Sequence, residues 1–93
     1  MEVDFVDVKA SSHTEIIYYE VKPYQSATKC IREGLGQLLL YVARDSHNKK
    51  KKLVVVGPRP LIEEDLIYYN LIRELFSSEE LNLDFEYTTF SLD

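Results

Sequence analysis

Ninety-three residues, 45% hydrophobic and 29% charged, suffice for one modest core and exclude a second domain. Eleven Lys and Arg against sixteen Asp and Glu leave a net charge of −5, which excludes indiscriminate coating of a polyanion unless the charges are sorted into patches. A single cysteine, Cys30, excludes an intrachain disulfide and, with two histidines, falls short of a zinc-finger ligand set, so a reducing, cytoplasmic setting is expected.

No apolar run approaches the roughly 18 residues of a membrane span, and the opening Met-Glu-Val-Asp lacks the basic and apolar regions of a secretory signal. Val3 to Ala10 alternates as a strand does, and Ile16 to Lys22 is rich in β-branched and aromatic residues and stops at Pro23. The polar Ser11-Ser12-His13-Thr14 between them predicts an antiparallel hairpin over residues 3–22. Pairing Ala10 with Glu15 across that turn sets Asp7 opposite Tyr18.

From Ser26, a good N-cap, the period changes. Ala27, Ile31, Leu35, Leu38, Leu39 and Val42 recur at three and four residues, predicting a helix over 26–44 with Cys30 a small buried side chain beside the stripe. Gly34 and Gly36 each cost such a helix roughly 1 kcal/mol relative to alanine, which points to a close approach at both. Asp45 to Lys52 reads as a polar loop whose lysine run, Lys49 to Lys52, is a solvated segment before it is a DNA clamp. Leu53 to Val56 is a continuous apolar run, as in a strand buried on both faces, and a strand, helix, strand order implies a parallel pair with a right-handed crossover. Gly57-Pro58-Arg59-Pro60 is a turn. Glu63, Glu64 and Asp65 favour the N-terminal end of a helix over 62–76 carrying Leu66, Ile67, Leu71, Ile72 and Leu75. After a loop at Ser77 to Glu80, residues 83–90 alternate as an edge strand.

The chemistry concentrates on the hairpin. Glu20 and Lys22 project to one side of their strand, and the pairing above adds Asp7 to that side. Two carboxylates held together repel unless a divalent cation sits between them. Hard oxygen donors suit Mg²⁺, with Mn²⁺ as a substitute, and the Val21 main-chain carbonyl supplies a further ligand. Lys22 at the rim would hold or activate the attacking water and stabilise charge growing on a phosphate. A hairpin register shifted by one residue would put Asp4 in the place of Asp7. The plainer reading makes Glu20 and Lys22 a surface ion pair, Tyr41 core filling, Gln37 a solvated helix position and His13 an inert turn residue. Tyr18, Tyr19, Tyr68, Tyr69 and Tyr87 are packing residues first and base-stacking platforms second.

An acidic residue on one strand, Glu20-Val21-Lys22 on the next, and Gln37-Leu38-Leu39-Leu40-Tyr41 on the following helix together resemble the PD-(D/E)XK nuclease superfamily, in its RecB-like branch with a Gln-x-x-x-Tyr motif. The resemblance covers about residues 3 to 57. It implies an α/β domain with a restriction-endonuclease-like mixed sheet flanked by helices, and Mg²⁺-dependent hydrolysis of DNA phosphodiester bonds. Asp7 and Glu20 would be the metal carboxylates, Lys22 the catalytic lysine, and Gln37 with Tyr41 the pair that orients the strand being cut. The family core runs helix, three strands, helix, strand, so this chain lacks the usual first helix and first strand. Further domains of a longer chain or a homodimeric partner are therefore expected. The alternative is a noncatalytic module that keeps the nuclease fold for DNA binding or assembly.

Overall fold

Alternating β-branched and aromatic stretches become strands, and stretches with three-and-four spacing become helices, in the computed structural model of the protein. It describes the backbone of residues 6–11 and residues 15–44, 49–78 and 81–90. The elements run β1 (Val6–Ser11), β2 (Glu15–Val21), α1 (Ala27–Arg44), β3 (Lys50–Gly57), α2 (Glu63–Leu75) and β4 (Leu83–Thr89). They form one sheet in the order β1-β2-β3-β4, with β1 antiparallel to β2 and the other two pairings parallel. An α/β class with a mixed sheet, the β2–β3 parallel pair and the edge position of β4 all agree with the sequence expectation.

Three expectations are corrected. Lys50, Lys51 and Lys52 belong to β3 and not to a loop, because β3 extends to the level of Glu15 on β2 and Lys52 is tied to Glu86 of β4 at 2.8 Å. The hairpin does not pair Ala10 with Glu15 or Asp7 with Tyr18. Ala10 faces Ile17 and Lys9 faces Tyr18, while Val6 faces Glu20, so one extra β1 residue is absorbed between Val6 and Lys9 as in a β-bulge. Nor, among the described residues, does the sheet or any other element approach Gly36, which has nothing within 4 Å. Asp4, His13 and the loop residues 45–48 and 79–80 lie outside the described residues.

Both helices pack on one face of the sheet. Ile16 and Tyr18 of β2, Leu53 and Val55 of β3, and Phe85 and Tyr87 of β4 alternate onto it and meet Cys30, Ile31 and Leu38 of α1 and Tyr69 and Ile72 of α2. Phe85 sits at the centre of an aromatic cluster with Tyr69 and Phe76. Gly34 is where α1 comes closest: an alanine Cβ would lie 2.9 Å from Val55 Cγ2, so the glycine sets the height of α1 over the sheet. Ser26 caps α1 through Lys29 N–H, as expected. Asp65 ties the two helix starts together, accepting from Thr28 Oγ1 at 2.6 Å, Thr28 N and Ile62 N. Burial acts to raise its pKa, and these three hydrogen bonds outweigh it, so the carboxyl lies below its ordinary value. Among the described residues no helix is long and apolar enough to cross a membrane.

Tyr87 closes the core at the end where the helices start, its hydroxyl donating to the Arg59 carbonyl. Burial, with Cys30 and Asp65 nearby, pushes its phenol up to about 12 from an ordinary 10.0. The folded state therefore holds this proton more tightly than the unfolded chain, so its contribution is intact below about pH 10 and is lost as pH rises toward 12. Denaturant titrations across that window should show wild type losing roughly 2 kcal/mol more than Tyr87→Phe. The phenylalanine variant should begin about 1 kcal/mol less stable at neutral pH, since the Arg59 carbonyl loses a donor. Parallel alkaline slopes for the two proteins would count against this assignment.

Candidate active site on the helix-covered face

Alternation along β2 sends Ile16, Tyr18, Glu20 and Lys22 to the covered face and leaves Ile17, Tyr19 and Val21 half-buried on the other. Glu20 and Lys22 thus share a side, as the sequence requires. They are not a surface pair: Glu20 is 0% and Lys22 2% exposed. Lys22 Nζ lies 3.8 Å from Glu20 Oε1, an ion pair in low dielectric rather than a direct hydrogen bond. The Lys22 N–H continues the β2–β3 ladder to the Val56 carbonyl at 2.9 Å, fixing the backbone that carries the ammonium.

The helix above supplies the other two predicted residues. Gly34 lies over Glu20, its missing Cβ position 3.6 Å from Glu20 Cγ. Gln37 and Tyr41 follow at three and seven residues, on the flank of α1 nearest β2, and both are half-buried. Tyr41 stacks on Tyr18 with ring centroids 6.3 Å apart, which places it one strand step from Glu20. So Glu20, Lys22, Gln37 and Tyr41 gather on one side of the sheet. Asp7 lies on β1 next to Val6, whose partner is Glu20, inside the stretch where the register shifts. Asp7 and Val8 together fall opposite Tyr19 there, so its backbone lies between the levels of Glu20 and Tyr18.

Sequence reasoning passed over Cys30 as a small core side chain. Its thiol lies 3.2 Å from the Tyr24 carbonyl and 3.6 Å from that of Lys22, pinning the chain as it leaves the site at Pro23. Burial pushes this thiol up, against the opposing pull of the Tyr24 hydrogen bond and of Lys22 and Lys29, so it remains a neutral donor and not a nucleophile. The signal available in the sequence was its position one turn before Gly34 on the same helix face.

For a metal, the described donors near Lys22 are the Glu20 carboxylate and the Val21 carbonyl. No group of three His, Cys, Asp or Glu side chains gathers among the described residues. One or two carboxylates plus water and substrate phosphate is nonetheless how Mg²⁺ is commonly held, so this hard-oxygen set suits it. Two surface hollows lie elsewhere, one including Lys50, Asn70 and Arg73 and the other Gln25, Arg59 and Asp65, and neither is lined by Glu20 or Lys22. Comparison of the chain with protein-family models, with curated proteins and with solved structures finds no match.

Proposed function

We propose that the chain is a restriction-endonuclease-like domain of the PD-(D/E)XK kind that hydrolyses DNA phosphodiester bonds with Mg²⁺. The observation that carries the reading is the ion pair of Glu20 and Lys22 on one face of β2, beneath the helix flank bearing Gln37 and Tyr41. Glu20, the Val21 carbonyl and Asp7 of β1 would hold the ion. When bound, it would supply a water of lowered pKa and neutralise the carboxylates where a phosphate must approach. Lys22 orients that water and offsets charge on the phosphoryl oxygens, its ammonium held in place by the packing that buries its stem. Gln37 offers an amide donor and Tyr41 a hydroxyl along the same flank, to position the strand being cut.

A second reading is favoured by the full burial of Glu20 and Lys22: a noncatalytic module that keeps this arrangement as a structural relic for DNA binding or assembly. The test is Mn²⁺-dependent cleavage of labelled single-stranded, duplex and branched DNA by wild type, Glu20→Gln and Lys22→Met, each checked by circular dichroism at the assay temperature. These near-isosteric changes suit a buried site better than truncation to alanine. The nuclease reading expects cleavage by wild type and a loss of about a hundred-fold or more in each folded variant. Equal rates in all three, or none in any, would leave the noncatalytic module.

A further inference from the structure

The helix layer leaves several large apolar side chains on the outside. On α2 the core takes Asp65, Tyr69 and Ile72, so Ile67 is 80% exposed, Leu71 53% and Leu75 62%. On α1, Leu39 is 40% and Leu40 51% exposed, beside an exposed Gly36 with nothing within 4 Å. These five side chains present on the order of 500 Å² of apolar surface, at the upper end of what a monomer shows in one patch. A standard interface takes about 800 Å² per partner and a homodimer interface is about 65% apolar, so the patch is close to what one side of a stable dimer buries.

The charges around the patch select the occupant. The exposed charges of α1 are Lys29, Arg32 and Arg44 against one acid, Glu33, whereas those of α2 are Glu63, Glu64 and Glu74 against one base, Arg73. The two helices also start level, with Thr28 bonded to Asp65, and both lead back from one parallel strand to the next, so they run side by side in the same direction. Each then carries two of its exposed charges in its first turns, Lys29 and Arg32 (the latter 3.8 Å from Glu33) on one and Glu63 and Glu64 on the other. Each carries its exposed leucines further on. A two-fold axis parallel to the helices lays α1 of one copy over α2 of the next. Bases then meet acids and leucines meet leucines at once, which is the self-complementarity an isologous contact needs. Gly36 leaves the backbone of α1 open to the close approach.

We propose that the chain forms a two-fold dimer through the outer faces of α1 and α2, with Leu39 and Leu40 of one copy on Ile67, Leu71 and Leu75 of the other. The inference does not rest on the nuclease reading. Sedimentation equilibrium of the full chain should give twice the 10.9 kDa chain mass at micromolar concentration. Ile67→Glu and Leu40→Glu, both at exposed positions, should fold as wild type by circular dichroism and dissociate at least about thirty-fold more readily. Arg32→Glu alone and Glu64→Arg alone should each weaken the dimer by about five-fold, and the two together should restore it. A wild type that stays monomeric to about 100 μM overturns the proposal, with the concentration chosen to reveal any association of biological strength. A dimer indifferent to Ile67→Glu overturns it equally, by locating the contact elsewhere, and failure of the double reversal to restore affinity overturns the pairing of α1 with α2.

Discussion

Lys22→Met is expected to destabilise the fold by about 3 kcal/mol, the usual cost of removing one partner from a buried ion pair. The volume of the side chain is nearly kept, so the loss would report charge and not a cavity. Glu20 stays at 0% exposure beneath Gly34 with the Lys22 ammonium gone. Glu20→Gln should cost a similar amount for the converse reason. The double variant Glu20→Gln/Lys22→Met should recover about 2 kcal/mol of the summed loss, because neither side chain is then left as an uncompensated buried charge. Urea denaturation of the four proteins gives the coupling directly. Strict additivity would mean that the two groups, 3.8 Å apart, do not sense each other's charge. A domain of this size melts about 4 to 8 °C lower per kcal/mol, so each single variant should lose on the order of 15 °C. The cleavage assay therefore has to be run well below those midpoints.

Gly57→Ala should be comparably severe, by about 3 kcal/mol, through overpacking. The glycine ends β3 with an ordinary negative φ, so the demand is for space and not for backbone freedom. An added Cβ would collide with Tyr87 Oη and lie 3.0 Å from Cys30 Sγ. Neither atom can easily yield, since the phenol is bonded to the Arg59 carbonyl and the thiol to the Tyr24 carbonyl. Moving either would also disturb the chain leaving β2 just after Lys22, so the loss of stability should come with a change in the near-ultraviolet circular dichroism of the tyrosines. Cys30→Ala in the same background should return part of the loss by vacating the sulfur position. No recovery would mean that the clash is borne by Tyr87 alone.

What the amino-acid order determined by itself is local. Spacing of two placed Glu20 and Lys22 on one side of a strand, and spacing of four placed Gln37 and Tyr41 on one flank of a helix, whatever lay above or below. The same periodicities located both helices to within a residue or so at each end, and the two strands flanking α1 were recognisable as a parallel pair because an 18-residue helix lies between them. Gly34 was legible as a contact point from its position inside a helix. Gly36 carried the same local signal and a different fate, because a glycine's cost is intrinsic while the surface it faces is not.

What only the tertiary structure decided is which side of each element is covered. Glu20 and Lys22 are buried because α1 happens to lie over their face of β2, and a polar pair gives no sign of that in the order of residues. On α2, two arcs of the helix are apolar enough to pack. The sheet took Tyr69 and Ile72, which complete the aromatic cluster around Phe85, and left Ile67, Leu71 and Leu75 outside. The hairpin register was likewise beyond local rules: Ala10 pairs with Ile17 and not Glu15, and a bulge that leaves no mark in the sequence adds one residue to β1, so Asp7 falls between the levels of Tyr18 and Glu20. Side-chain direction along an element follows from backbone geometry alone, but burial depends on surfaces contributed by residues far away in the chain.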